Sequence, residues 1–310
     1  LGRLFPVFVR SGGLGLFKPH LYLVIVGLAY FIPGDIAFSF GIAPFLWYLL
    51  AGTMAAYGIN LMAPLEGTSY LSLNPQSFAL FGANLGVMIT ILYTGRHYYA
   101  GVARRSVGLR LPADVPAEAV SGCRWFMVLT GLLILQLWLA GTDLTLATLY
   151  VGIMIIGFTV LSRVIAETGQ MYMKCYFWPC VVLWGWLGAT AIGTQQLLVM
   201  MLVTTVLFID PREALMPFMA NSLKVLETRR LRLGRASWLC VAALVLGLAV
   251  AIPATLYIKY DQGSATGDSW STITVPRGPF DSAVLIRQKL ASQGVDPDAA
   301  PATGLAWLRQ

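Results

Sequence analysis

Six ionisable side chains interrupt the long apolar stretches of this 310-residue chain, and their types and positions suit them to chemistry. They form three groups: Asp35, the pair Arg163 and Glu167, and the group Asp210, Arg212 and Glu213. Ionisable residues in apolar helices are energetically costly, and they usually face the interior of a helix bundle or a water-filled path. A carboxylate that is half-buried between helices has a raised pKa, so it can exchange a proton near neutral pH. We therefore predict that these six residues are candidates for binding a substrate or an ion.

Each group also has a purely structural interpretation. Asp35 follows a Pro-Gly pair, and aspartate is a favoured N-cap, so Asp35 could cap a helix that starts there. Arg163 and Glu167 lie four residues apart on one helix face. They could form an ion pair at the cytoplasmic interface, with the arginine reaching towards lipid headgroups. The third group could be a loop that joins two helices. The sequence leaves both interpretations open for every group.

No other pattern indicates an enzyme or a cofactor. The chain has no P-loop, GxSxG, HExxH or Rossmann fingerprint. Its four cysteines lie in or beside apolar segments without a CxxC spacing, which is typical of small apolar helix residues. With only two histidines, a histidine-rich metal site is excluded. A membrane-embedded enzyme would need paired acidic residues beside a metal or a histidine, and the loops lack that combination. We predict no catalytic residue, no metal and no cofactor.

The elements that must position these residues are membrane-spanning helices. The chain is 57% hydrophobic and 11% charged, whereas soluble domains are about 25% charged. Its apolar runs have the length of about 20 residues that a helix needs to cross a bilayer. Inside lipid every backbone polar group must be satisfied internally, which favours helices. We predict an all-α bundle of seven or eight membrane segments with broken helices. The expected apolar elements are about 21–57, 76–95, 123–140, 144–165, 170–194, 195–226 and 236–258.

Loop composition predicts the domains and the orientation. The loops near 96–110 and 224–235 are rich in Lys and Arg, whereas those at 58–75 and 141–143 contain none. By the positive-inside rule, residues 1–20 are then a cytoplasmic approach segment and residues 21–258 are the helix bundle. Residues 259–310 form an extramembrane C-terminal segment outside the cytoplasm, in which 280–293 has the pattern of a short amphipathic helix. The net charge of +7 fits basic loops beside anionic lipid, so we expect no nucleic-acid partner.

Glycines stand out in two of the apolar elements. Gly82 and Gly86 form a GxxxG pattern, which permits close packing of membrane helices. The element 170–194 is interrupted by Pro179 and contains Gly185, Gly188 and Gly193, so we expect its backbone to depart from a regular helix.

Three short motifs resemble an uncharacterised family of bacterial membrane proteins related to the oligopeptide transporter superfamily. They are the Pro-Gly-Asp break that ends the run 23–35, with Ser39-Phe40 behind it, the segment RVIAETG at 163–169, and the segment REALMP at 212–217. The resemblance implies a secondary-transporter-like fold with repeated halves and broken helices in the inner membrane. It also implies that the chain is a partial, mainly C-terminal portion of a longer protein.

Two functions from different classes follow. In the first, the chain is secondary-transporter-like and moves a small peptide-like or metal-chelate solute, coupled to protons or cations at the acidic residues. In the second, it is a structural or accessory scaffold subunit of a larger membrane complex, whose segment 259–310 docks a partner. The expected partners are the lipid bilayer and either partner subunits or further copies of the chain.

Overall fold

The computed structural model describes residues 4–18, 20–67, 70–109, 115–169, 175–209, 215–229, 233–263 and 267–296. Within these ranges the chain is helical, and its extended pairing is limited to one antiparallel bridge between Glu66 and Leu73. The helices are α1 (Pro6–Arg10), α2 (Leu23–Tyr30), α3 (Gly34–Ala56), α4 (Pro75–Thr94), α5 (Arg96–Ser106), α6 (Ala117–Leu139), α7 (Leu144–Thr168), α8 (Pro179–Leu187), α9 (Ala189–Ile192), α10 (Thr194–Leu207), α11 (Leu215–Thr228), α12 (Leu233–Gln262) and α13 (Val275–Ser292).

Five helices in the described part of the chain are long and apolar enough to cross a membrane, namely α3, α4, α6, α7 and α12. This confirms an all-α bundle with several membrane-spanning helices. The two elements expected at 170–194 and 195–226 are instead built from α8 to α11, each of which has 14 residues or fewer. A straight span needs about 20 residues, so none of these four helices crosses a bilayer alone.

Local sequence signals set the ends of two spanning helices. The Asn74 side chain accepts a hydrogen bond of 2.7 Å from the Ser77 amide and caps α4. The Asp143 carboxylate accepts a hydrogen bond of 3.0 Å from the Thr145 amide and caps α7. Each cap satisfies one of the amide groups that a helix N-terminus leaves unpaired. Gly169 adopts a left-handed conformation, which favours glycine, and ends α7.

Helix α7 lies at the centre of the bundle and packs against α4, α6, α8 and α11. Half of its most apolar stretch is buried, compared with about a tenth for α3, α4 and α6. The main apolar core is formed by residues of α7, α8 and α10 together with the segment before α8. The apolar sequence of α7 suits both this central position and a membrane span, because a helix that is apolar all round is either buried in a core or crosses a membrane.

Helix α10 runs beside α7 in the same direction. At the start of both helices, the Gln196 side chain accepts a hydrogen bond of 3.0 Å from the Asp143 amide. Two turns further along, the hydroxyls of Tyr150 and Thr204 form a buried hydrogen bond of 2.9 Å. These contacts fix the register of α10 along α7, so the level of any α10 residue can be read from its neighbour on α7.

The N-terminal segment packs along the second half of α3. A Cβ built at Gly52 would lie 2.1 Å from the carbonyl oxygen of Val7, so only glycine allows α1 to approach there. The Phe17 and Phe45 rings meet with their centroids 6.3 Å apart. Residues 6–17 therefore lie beside the part of α3 that leads into the 57–74 loop.

The C-terminal segment contains the expected amphipathic helix, which the structure extends to α13 (Val275–Ser292). Its buried side repeats every four residues at Gly278, Ser282, Ile286 and Leu290, and it packs against α10. This spacing is that of one helical face. The described part of segment 259–310 is thus packed onto the bundle by α13.

Candidate functional site

Asp35 occupies the second position of α3 and is exposed. The N-cap residue of this helix is Pro33, so the expectation that Asp35 itself is the N-cap is wrong by two positions. A carboxylate in the first turn still interacts favourably with the positive end of the helix dipole. Helix α2 ends at Tyr30 and α3 begins at Gly34, which leaves three non-helical residues before Asp35's helix.

Arg163 and Glu167 form an ion pair with a distance of 2.5 Å between Nη2 and Oε1. Both lie in the last six residues of α7, and their side chains are 57% and 59% exposed. This geometry matches the alternative interpretation of a pair at the end of a spanning helix. An exposed pair with this spacing stabilises a helix by only about 0.3–0.5 kcal/mol.

The third group, Asp210, Arg212 and Glu213, lies outside the described residues. The described chain stops at Ile209 on one side and resumes at Leu215, where α11 begins. Ile209 is the last described residue before this group, so its position along the bundle is what the structure shows nearest to the group.

Two ends of helical segments meet at the middle of α7. Gly157 is the fourteenth of the 25 residues of α7. A Cβ at Gly157 would lie 2.5 Å from Cζ of Phe208 and 3.1 Å from Cζ of Phe177. Phe208 directly follows the last residue of α10, and Phe177 lies in the non-helical segment that precedes α8. The C-terminus of α10 and the N-terminal approach to α8 thus lie together halfway along a spanning helix.

Aromatic rings fill this meeting point. The Phe208 ring lies 5.1 Å from that of Phe158 and 5.6 Å from that of Phe177, between centroids. Phe177 in turn contacts Phe81 of α4 at 5.4 Å. Phe177 and Phe208 are fully buried. The cluster therefore packs the two helix ends against α4 and α7 at this level.

A small polar cluster lies beside the aromatic rings. Besides its bond to Tyr150, the Thr204 hydroxyl donates a hydrogen bond of 2.8 Å to the Met200 carbonyl. Cys180, in the first turn of α8, is fully buried as well. These hydroxyl and thiol groups are uncharged, so the cluster offers polar atoms but no fixed charge to a ligand.

Two glycines interrupt the helix that would otherwise join α8 to α10. Gly188 has φ +81° and ψ 156°, and Gly193 has φ +80° and ψ 144°. Only glycine adopts this region of backbone space without strain. The backbone departs from a regular helix at these two positions.

A cleft of about 240 Å³ opens at the first of these interruptions. Glu66 from the 57–74 loop and Lys289 from α13 face each other across it and form an ion pair. Thr190 and Gln293 add polar groups to the lining beside Gly188. The cleft can accommodate a small polar ligand or water between α13 and the interrupted helix.

Tyr70 fixes the other end of α13. Its hydroxyl donates a hydrogen bond of 2.7 Å to the Val275 carbonyl, and its ring meets those of Trp178 and Trp270 at 6.0 and 5.4 Å. Burial raises the pKa of Tyr70 to about 12. The phenol therefore stays protonated and remains a donor throughout the physiological range.

The predicted site residues do not include Glu66 and Lys289, which lie 223 positions apart. One signal was present, because Glu66 is the only charged residue between Asp35 and Arg96. Its partner carried no such signal among the other charged residues of α13. Among the described residues, no three or more His, Cys, Asp or Glu side chains converge as a metal site would require.

The comparison with protein families gives one match. Residues 11–305 match the model of a family of unknown function, DUF6785. The chain belongs to this family. No curated protein and no solved structure matches it. The matched range includes α2 to α13. The residues around Gly157, the glycines Gly188 and Gly193, and the Glu66–Lys289 cleft therefore all lie within it.

Proposed function

We propose that this chain is secondary-transporter-like and that discontinuous helices form its solute path near the bilayer midplane. One observation carries the proposal, namely the meeting of the α10 C-terminus and the approach to α8 beside Gly157. Transporters use such helix ends to bind ions and charged solutes, because each end presents unpaired backbone groups and a partial charge. The middle of a spanning helix corresponds to the depth at which those sites lie.

Ionisable groups come next along the chain. Asp210, Arg212 and Glu213 follow Ile209 directly along the chain, and Ile209 is the neighbour of Phe208. We propose that these residues exchange a proton or bind a cation, and that the solute is small and peptide-like or a metal chelate. Arg163 and Glu167 lie near the end of α7, away from the level of Gly157. The proposed location is the bacterial inner membrane, which the chain crosses in seven or eight segments with broken helices.

The proposal requires water to reach the level of Ile209 from at least one side. We would introduce Ile209→Cys into a cysteine-free variant and label sealed vesicles of both orientations with a membrane-impermeant maleimide. Val250→Cys is a matched control, because it lies near the middle of α12 and is exposed on the bundle surface, where lipid covers it. We expect labelling of the first variant and not of the second.

A second measurement tests the acidic group. Asp210→Asn is expected to abolish any proton-coupled charge movement of the protein in proteoliposomes, whereas Glu167→Gln is expected to leave it unchanged. If Ile209→Cys is unreactive from both sides and Asp210→Asn has no effect on charge movement, the transporter proposal fails.

The alternative proposal is a structural or accessory scaffold subunit. It is favoured by the exposed apolar surface, since none of the most apolar stretch of α12 is buried among the described residues. Such a surface is suited to lipid or to partner helices. Purification in mild detergent separates the two functions, because a scaffold retains a partner subunit in fixed stoichiometry. A transporter is recovered as a monomer or as a homo-oligomer.

A further inference from the structure

A second cleft, of about 640 Å³, lies between the ends of two spanning helices. It is bounded by α4, by the start of α5 and by the last turns of α7. Its volume falls within the range of about 300–1,000 Å³ that is typical of ligand pockets. We call it the α4–α7 groove; the residues used below are Gly86, Ile91, Thr94, Tyr99, Arg163 and Glu167.

The α4–α7 groove changes from apolar to polar along its length. Gly86 and Ile91 line the part nearer the middle of α4, whereas Thr94 and Tyr99 line the end next to α5. From Gly86 to Thr94 the helix rises about 12 Å, at about 1.5 Å per residue. A ligand that fills the groove must therefore have one apolar part and one polar part.

The glycine pattern of α4 keeps the apolar part of the groove open. The GxxxG pattern of Gly82 and Gly86 permits close packing against another helix, but a Cβ built at either position meets no atom within 4 Å. Glycine is therefore not required there by a neighbour within the described chain. The absence of side chains instead leaves a smooth channel along the helix surface, which an extended hydrocarbon chain can occupy.

Helix α7 adds two opposite charges to the groove. Arg163 and Glu167 both line the α4–α7 groove, and both side chains are more than half exposed. Nearby, the Arg96 guanidinium lies 4.6 Å above the ring of Tyr93, a pairing that is common where a helix leaves the membrane. Arginine has five N–H donors, so the guanidinium of Arg163 can still bind an anion while it is paired with Glu167.

We propose that the α4–α7 groove binds a zwitterionic phospholipid with a primary ammonium group, of the phosphatidylethanolamine type. The phosphate binds Arg163, the ammonium group binds Glu167, and one acyl chain lies along Gly86 and Ile91. An anionic lipid fits less well, because it would bring a second negative charge to Glu167 without an ammonium group to balance it. This inference is independent of whether the protein transports a solute.

The test is lipid retention by the purified protein. Protein would be reconstituted in nanodiscs of equal phosphatidylethanolamine and phosphatidylglycerol, extracted in mild detergent and analysed by native mass spectrometry. We expect phosphatidylethanolamine to be retained about tenfold over phosphatidylglycerol, which corresponds to about 1.4 kcal/mol.

Gly86→Leu fills the groove and should abolish the bound lipid. Gly131→Leu is the matched control on α6, where a side chain also meets no atom within 4 Å, and it should retain the lipid.

A further variant separates the headgroup from the acyl chain. Glu167→Gln removes the partner of the ammonium group, so we expect the bound lipid to persist while the tenfold preference is lost. Equal retention of phosphatidylethanolamine by the Gly86→Leu and Gly131→Leu variants would overturn the proposal. Efficient disulfide formation between two copies of a Gly86→Cys variant would also overturn it, because a second copy would then occupy the groove.

Discussion

The proposed function depends on the contact of Phe208 with Gly157. The substitution Gly157→Ala, which adds one methyl group, tests this contact. In Gly157→Ala the new carbon would lie 2.5 Å from Cζ of Phe208, whereas favourable carbon contacts are about 3.5–4.0 Å long. The Phe208 ring cannot easily move away, because it is fully buried and contacts Phe158 and Phe177. Gly157→Ala should therefore disturb the packing at the middle of α7.

The size of the effect follows from two opposing terms. Overpacking of a core costs about 1–3 kcal/mol. Alanine in a helix interior is more stable than glycine by about 0.5–1 kcal/mol. For Gly157→Ala we expect a net decrease of about 0–2.5 kcal/mol in the free energy of unfolding. Gly152→Ala is the matched control, since it lies on the same helix and its Cβ meets no atom within 4 Å. In this control the free energy of unfolding should increase by about 0.5–1 kcal/mol.

The assay is equilibrium unfolding of the detergent-solubilised protein by sodium dodecyl sulfate, followed by circular dichroism. A double-mutant cycle with Phe208→Leu isolates the contact, because the smaller side chain makes room for the methyl group. We expect a coupling energy of about 0.5–3 kcal/mol between positions 157 and 208. If Gly157→Ala stabilises the protein as much as Gly152→Ala does and shows no coupling, Phe208 does not lie against the middle of α7.

Three further predictions concern the interrupted helix and the contacts of α13. Gly188→Ala should destabilise the protein by about 1–3 kcal/mol in the same assay, because alanine is strained at this φ and ψ; Gly247→Ala in α12, where a Cβ meets nothing, should not. Glu66→Lys should lower the free energy of unfolding by up to about 1 kcal/mol, since the pair is partly exposed. Adding Lys289→Glu should restore most of this loss. Failure of the double exchange to restore stability would exclude the pair. Burial raises the pKa of Tyr70 to about 12, so its stabilising contribution should be complete below pH 10 and lost as the pH rises towards 12. Tyr70→Phe should remove one late-ionising tyrosine from an absorbance titration that is made before unfolding.

Helix boundaries and membrane character could be predicted from the sequence because they depend on local signals. The apolar run at 144–165 gave α7 (Leu144–Thr168), and the amphipathic pattern at 280–293 gave α13. Side-chain caps such as Asp143 act within three residues of the helix end that they satisfy. The seven or eight membrane segments remain a prediction, because five spanning helices are found among the described residues.

Local sequence signals do not show whether a packing motif such as GxxxG is in contact with another helix. The GxxxG pattern at Gly82 and Gly86 permits close packing, yet the structure leaves both glycines open. Gly157 belongs to no such pattern, yet it is the glycine that two aromatic rings approach most closely on α7. A motif therefore states what a helix face allows, and the neighbouring helices determine whether that face is used.

The sequence by itself determined that this chain is a helical membrane protein with charged residues inside its apolar elements. The tertiary structure decided which parts meet. It placed the end of α10 and the approach to α8 beside Gly157, and it paired Glu66 with Lys289 across 223 positions. Periodicity and capping are properties of neighbouring residues, so they can be read along one segment. Contacts between distant segments depend on how all helices pack together, because each side chain is buried only by what the other helices bring to it.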